Sequence, residues 1–228
     1  MGKWTTDTVI GNLIKFTMLP VRFFFRLRTF FEVKYLGHGC RVIGPVYISG
    51  GKNIRIGRNC FFGRNVVLDA TGGHLEIGDR CEIRDGARIY AESVRIGSDV
   101  TIGENSFLVG KINIGDKAWI ARNCDLAGEV LVEQAILGPG VSCVGGADHP
   151  RDPVTHHVLM KHDAPLSQIP EKPWIRISQG AWVGQNAIIL KGVQIGEGAI
   201  VGAGSVVSRS VRPLTTVAGN PAREIKKS

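Results

Sequence analysis

Aliphatic residues recur along this chain at a step of six. They run through Leu36, Val42 and Ile48, then Ile56, Phe62 and Leu68, then Ile77, Ile83 and Ile89, and from Ile96 through Ile102, Leu108, Ile114, Ile120 and Leu126 to Val132. After an interruption the step resumes with Ile177, Val183, Ile189, Ile195, Val201 and Val207. Four positions past most of these stands a small or β-branched residue, among them Cys40, Cys60, Cys81, Ala87, Ser93, Ser106, Ala118, Cys124, Ala187 and Ser205, and a glycine often follows the aliphatic. Such a step matches neither an amphipathic helix nor a plain strand. It matches a short strand followed by a tight turn: the small residue and the next aliphatic face the same side of a strand, and the glycine and polar residues between strands form a corner with relaxed backbone demands. Three such units close a triangular coil, and coils stack about 4.8 Å apart. The expectation is an all-β parallel β-helix. The step slips by two residues before Ile56, three before Ile77 and one before Ile96, each after three units, so insertions are expected at one recurring corner.

Thirty glycines and 43% apolar residues in 228 suit that architecture. The formal charge of +8 is unevenly spread: residues 1–35 carry six cations against Asp7 and Glu32, and the C-terminal stretch RPLTTVAGNPAREIKKS adds a second basic cluster. No single long basic stripe results, which argues against a nucleic-acid partner. The five cysteines form no CxxC pair, and Cys40, Cys60 and Cys81 share the inward phase, so they are expected as small core residues rather than disulfides or metal ligands. A reducing cytoplasm is the expected location.

The stretch TVIGNLIKFTMLPVRFFFRLRTFFEVKY precedes the repeats and reads as an amphipathic helical segment, too often charged to span a bilayer. Its aromatic and basic character makes peripheral membrane contact through residues 9–34 one expectation and packing on the β-helix or on a second subunit the other. The organisation expected is a helical segment over 1–35, a β-helix over 36–212 with a loop extruded over 145–174, and a basic tail over 213–228.

The interruption, GPGVSCVGGADHPRDPVTHHVLMKHD, holds four histidines and is far longer than an ordinary connection. Units such as IGDRCE, IGENSF and VGQNAI, together with the segment ADHPRDP, resemble those of the hexapeptide-repeat acyltransferases, in particular the maltose, galactoside and nodulation-factor O-acetyltransferases. The resemblance extends from about Leu36 to Lys226 and implies the left-handed form of the β-helix, acetyl-CoA as cosubstrate, a homotrimer and a sugar or polysaccharide-precursor hydroxyl as acceptor. It implies His149 as general base, a role that suits an imidazole with a pKa near ~6.5, and Asn123 as a residue that orients it, with Asp148 and Asp152 as alternatives for that second part. By the same resemblance Trp182 borders the acetyl-CoA groove, Ala203 meets the pantetheine arm, Ser208 its polar end, and Arg223 and Lys226 the nucleotide phosphates.

Within the transferase class, N-acetylation of an amino sugar and acetylation of an antibiotic or of serine stay open, because the loops that select the acceptor are not read from sequence. Three other readings compete. Cys143 could act as nucleophile with His149, but it stands six residues after Leu137, at the inward phase. A zinc-dependent carbonic anhydrase on the same fold needs histidines on coil faces, whereas these four cluster in one loop. A non-catalytic scaffold leaves the histidine segment and the basic tail unexplained.

Overall fold

The computed structural model describes residues 33–145 and 174–225. The N-terminal segment expected to be helical, the four clustered histidines including His149, and Lys226 lie outside the described residues.

Within them the hexads form a parallel β-helix. Each coil contributes three strands, and inward residues of successive coils stack in columns. One column reads Phe62, Ile83, Ile102, Ile120, Leu137, Val183 and Val201, with the register carried by strand pairs such as Thr101–Ile102 on Trp119–Ile120. A second reads Leu68, Ile89, Leu108, Leu126, Cys143, Ile189 and Val207. A third reads Ile56, Ile77, Ile96, Ile114, Val132, Ile177 and Ile195. Every member of the three columns is buried, so the six-residue step is the imprint of one narrow apolar interior.

The small phase fills the corners of that interior. Cys40, Cys60, Cys81 and Cys124 are buried, and their thiols donate to the carbonyls of Gly57, Gly78, Gly97 and Gly138 in the following coil. Ser106 is likewise buried, donating to Ala121 O and accepting from Cys124 N. Ser93 departs from the expected phase. The strand Arg88–Ile96 carries one more residue than its neighbour Phe107–Ile114, the register shifts between Gly110 and Lys111, and this bulge turns Ser93 outward, where its hydroxyl meets His74 Nε2 at 3.0 Å.

Among the described residues the strands fall into a ten-stranded and a thirteen-stranded sheet. The larger sheet covers two faces of the triangle, because Arg88–Ile96, Phe107–Ile114 and Asp125–Val132 run through one corner without a break. That corner is where the sequence slips: the 3-10 turn Gly51–Asn53 sits there, as do residues 71–73 and the bulge in Arg88–Ile96. The strand Ser142–Gly145 ends at the same corner with Gly145 in register with Gly128, and the chain resumes in Ile175–Ile177 in register with Val130–Val132. Beyond residue 212, Thr216–Gly219 adds a strand to the ten-stranded sheet on Ile200–Val201, and Ala222–Glu224 folds back antiparallel upon it.

Candidate functional site

The corner between the ten-stranded sheet and the strand that follows is built differently. From the second coil on, the residue before the inward small side chain has a left-handed backbone: Asn65, Gly86, Asn105, Asn123, Gly140, Asn186 and Gly204, with φ between 55° and 72°. Left-handed backbone costs most L residues about 1–2 kcal/mol, and asparagine and glycine least. Amide hydrogen bonds link these turns from coil to coil, Asn123 N to Glu104 O at 2.8 Å, Gly140 N to Arg122 O at 3.0 Å, Asn186 N to Pro139 O at 2.9 Å and Gly204 N to Gln185 O at 2.7 Å. The asparagine side chains pack over the coil beneath: a Cβ at Gly140 would fall 2.2 Å from Asn186 Oδ1.

Asn123 is therefore an exposed member of a structural ladder, held at φ 58°. Trp182 lies beside the same edge on the outer face of the ten-stranded sheet, half exposed, in register with Ile136 below and Ile200 above, and Trp119 precedes Ile136 in the same row. Trp119, Arg122, Ile136, Pro139 and Trp182 line a shallow groove of about 530 Å³ that runs along this edge. Ala203 continues the edge, exposed, next to Gly184, where a Cβ would come within 2.7 Å of Ala203 N. Arg223 stands opposite Ala218 in the C-terminal hairpin, and Ala218 packs over Gly202, so Arg223 lies at the end of the edge, with its guanidinium donating to Ala222 O. Asn123, Trp182, Ala203 and Arg223 are thus brought to one edge over successive coils. Ser208 is not on it: it follows the strand Val206–Val207 and lies toward the opposite corner, the one from which the chain departs at Gly145.

Between the two corners lies a face that sequence reasoning did not single out. Its outward row reads Arg88, Phe107, Asp125, Ser142, Ile188 and Val206. Burial among these neighbours raises the Asp125 carboxyl above its ordinary range, and its side chain makes no hydrogen bond among the described residues. The sequence shows only a carboxylate in an outward phase; the neighbours that bury it, Phe107 and Ser142 along the row, follow from the strand register.

Cys143 is fully buried in the interior column, and desolvation pushes its thiol far up; Cys124 is pushed up to about 11 by the same cause. Neither is a nucleophile at neutral pH. Among the described residues no three histidines, cysteines or carboxylates group as metal ligands.

Comparison with known proteins agrees with this architecture. Residues 175–209 match a family model described as bacterial transferase hexapeptide (six repeats), and residues 53–91 and 93–125 match one described as hexapeptide repeat of succinyl-transferase. The chain is 31% identical over 199 residues to WbbJ of Escherichia coli K12, named as a candidate O-acetyl transferase of lipopolysaccharide biosynthesis, covering 82% of this chain and 79% of that one. It is 28% identical over 192 residues to the galactoside O-acetyltransferase of the same organism, covering 84% of this chain and 63% of that one. Among solved structures, UDP-N-acetylglucosamine acyltransferase from Campylobacter jejuni shares the fold with a TM-score of 0.61 at 20% identity, over 84% of this chain and 72% of that one. With its left-handed parallel β-helix, the chain belongs to the hexapeptide-repeat acyltransferase family and is an enzyme of that class.

Proposed function

We propose that the protein transfers an acetyl group from acetyl-CoA to a hydroxyl of a sugar or of a cell-surface polysaccharide precursor. The observation that carries this reading is the common edge that Trp182, Ala203 and Arg223 share. A bound thioester supplies the activated acetyl group. The residues on this edge suit such a molecule: the groove beside Trp182 offers apolar walls, and the edge is open at Gly204, where an added Cβ would meet nothing within 4 Å. Arg223 brings fixed positive charge to the end of the edge, and guanidinium groups pair with phosphate; Lys226, three residues further along the chain, is proposed to share that role. Ser208 is proposed to meet the polar end of the pantetheine from the adjoining face. The names of the two curated relatives, one for lipopolysaccharide biosynthesis and one for galactosides, support a carbohydrate acceptor.

His149 is the proposed general base. Its neutral imidazole removes the proton of the acceptor hydroxyl as the oxygen attacks, help typically worth ~10²–10⁴ in rate. It follows Gly145 by four residues, so an extended chain carries it no more than about 14 Å from that glycine. Asn123, the proposed orienting residue, lies at the opposite end of the same face, about 16 Å from the Gly128 position on which Gly145 rests. A homotrimer, in which a second copy brings its own edge up to the loop, is the assembly proposed to unite them, and a cytoplasmic location gives access to acetyl-CoA.

Calorimetric titration with acetyl-CoA and with dephospho-CoA tests the reading. Saturable binding that weakens without the phosphate, and that Arg223→Ala weakens for acetyl-CoA but not further for dephospho-CoA, is the expected outcome. A folded protein that binds neither compound would move the assignment to another acyl donor.

A further inference from the structure

The net charge of this chain resides entirely in its first third. Residues 1–70 hold eleven lysines and arginines against three acidic residues, whereas residues 71–228 hold seventeen of each. Within the described residues, positions 33–70 carry Lys34, Arg41, Lys52, Arg55, Arg58 and Arg64 against Asp69 alone. The fold distributes these six around one end of the β-helix. Lys34 and Arg55 flank one face of the thirteen-stranded sheet, Arg41 points from the ten-stranded sheet, Arg58 and Arg64 occupy two corners and Lys52 the third, in the turn Gly51–Asn53. All six are exposed, and among the described residues only Arg58 is paired with a carboxylate, Asp79.

The same end also exposes apolar surface. Tyr35 and Tyr47 are more than half exposed and Ile43 is 39% exposed, so each side of the first coil presents one such residue. The inward aliphatics of this coil, Leu36, Val42 and Ile48, are only partly buried, whereas their counterparts one coil on, Ile56, Phe62 and Leu68, are sealed.

We propose that this end of the β-helix docks on an anionic lipid bilayer with the solenoid axis upright. A collar of cations across the axis presents all its charges to a plane at once; a nucleic acid would need a stripe along the axis, and there the following coils, residues 71–145, hold eleven acidic residues against seven basic ones. Basic residues near an anionic leaflet attract it, and half-exposed tyrosine side chains, apolar in the ring and polar at the tip, suit the headgroup level. Docking there deepens the reading of a sugar acceptor by placing the acceptor in the lipid-linked class, and for the acceptor it rests on that reading; the membrane surface itself does not.

The test is sedimentation of the full-length protein with vesicles of phosphatidylcholine, with and without phosphatidylglycerol. Binding is expected only with the anionic lipid and is expected to weaken as salt shortens the Debye length from about 10 Å at 0.1 M. The triple variant Lys52→Glu, Arg55→Glu, Arg64→Glu is expected to lower the partition coefficient at least a hundredfold, at about fivefold per charge removed. Circular dichroism and acetyl-CoA binding are measured on the same variant to show that the coil and the edge described above are intact. Undiminished vesicle binding by the triple variant overturns the proposal, and if Arg22→Glu with Arg26→Glu then abolishes binding, the preceding segment alone is responsible. Equal binding to both vesicle types, or binding to neither, also overturns it. Loss of acetyl-CoA binding in a wild-type protein that still binds anionic vesicles would instead remove the transferase reading and leave this one standing.

Discussion

Two corners of the same coil follow opposite rules. The corner carrying Asn65, Gly86, Asn105, Asn123, Gly140, Asn186 and Gly204 repeats a left-handed backbone in successive coils, and successive turns are hydrogen bonded. The corner at Gly51–Asn53, residues 71–73 and Gly128–Gly145 changes along the helix: it takes a 3-10 turn, a bulge, strands that run through it with Gly110 and Gly128 in register, and then the departure of a long segment. The first corner fixes register, because each turn is bonded to the turn before it. The second can vary because the strands on either side of it stay in register regardless of what joins them. Invariant turns thus leave a second corner free to carry chemistry, in keeping with a proposed site whose donor groove runs on the repetitive edge and whose base departs from the irregular one.

The largest expected effect tests the irregular corner. His149→Ala is expected to lower turnover by about 10² or more while leaving acetyl-CoA affinity and the melting temperature unchanged; equal activity would assign the base elsewhere. On the repetitive corner Gly140→Val is expected to lose about 2–4 kcal/mol in denaturant titration, since its φ of 71° and the nearby Asn186 Oδ1 both oppose a branched side chain. Asn123 separates structure from catalysis. Asn123→Ala is expected to cost about 1 kcal/mol and Asn123→Gly almost none, so activity lost in the glycine variant, with stability kept, identifies an orienting role, and activity retained assigns Asn123 to the ladder alone.

A smaller effect is expected where the chain rejoins the coil. Glu133 accepts hydrogen bonds from Arg176 and, at 2.9 Å, from Gln179 N, and the Arg176 guanidinium holds its carboxyl below the usual range. A lowered carboxyl stabilises above its unfolded pKa, about 4.3, and loses that contribution as pH falls through the folded value. Glu133→Gln is therefore expected to lower stability by less than about 1 kcal/mol at neutral pH, with the gap between variant and wild-type melting temperatures closing below pH ~4. Gly72→Ala, where an added Cβ meets nothing within 4 Å, is expected to change stability by no more than ~0.5 kcal/mol. A penalty at Gly72 as large as that at Gly140 would erase the contrast between the corners.

Much of this was legible from phase alone. Phe62, Ile83 and Ile102 repeat at one place in the coil because every coil buries the same column, and Cys40, Cys60 and Cys81 repeat because the corner of that column admits only a small side chain. Ser93 misled because one extra residue in its strand shifts the phase locally, and a residue count does not say where within a coil the surplus is absorbed. Asn123 was legible as an asparagine worth attention, but its recurrence with Asn105 and Asn186 belongs to turn geometry. Asp125 was hidden, since only the strand register shows which neighbours desolvate it.

The sequence by itself determined the coil, its interior and the corner at which insertions collect, because a fixed step of six constrains inward side chains that have no alternative partner. Only the tertiary structure decided which distant residues share an edge. Trp182, Ala203 and Arg223 are brought together, and Ser208 is set toward the other corner, by the stacking of coils; the collar of charge on the first two coils arises in the same way, from wrapping a local surplus around an axis. Stacking is a relation between coils, and no one hexad encodes it.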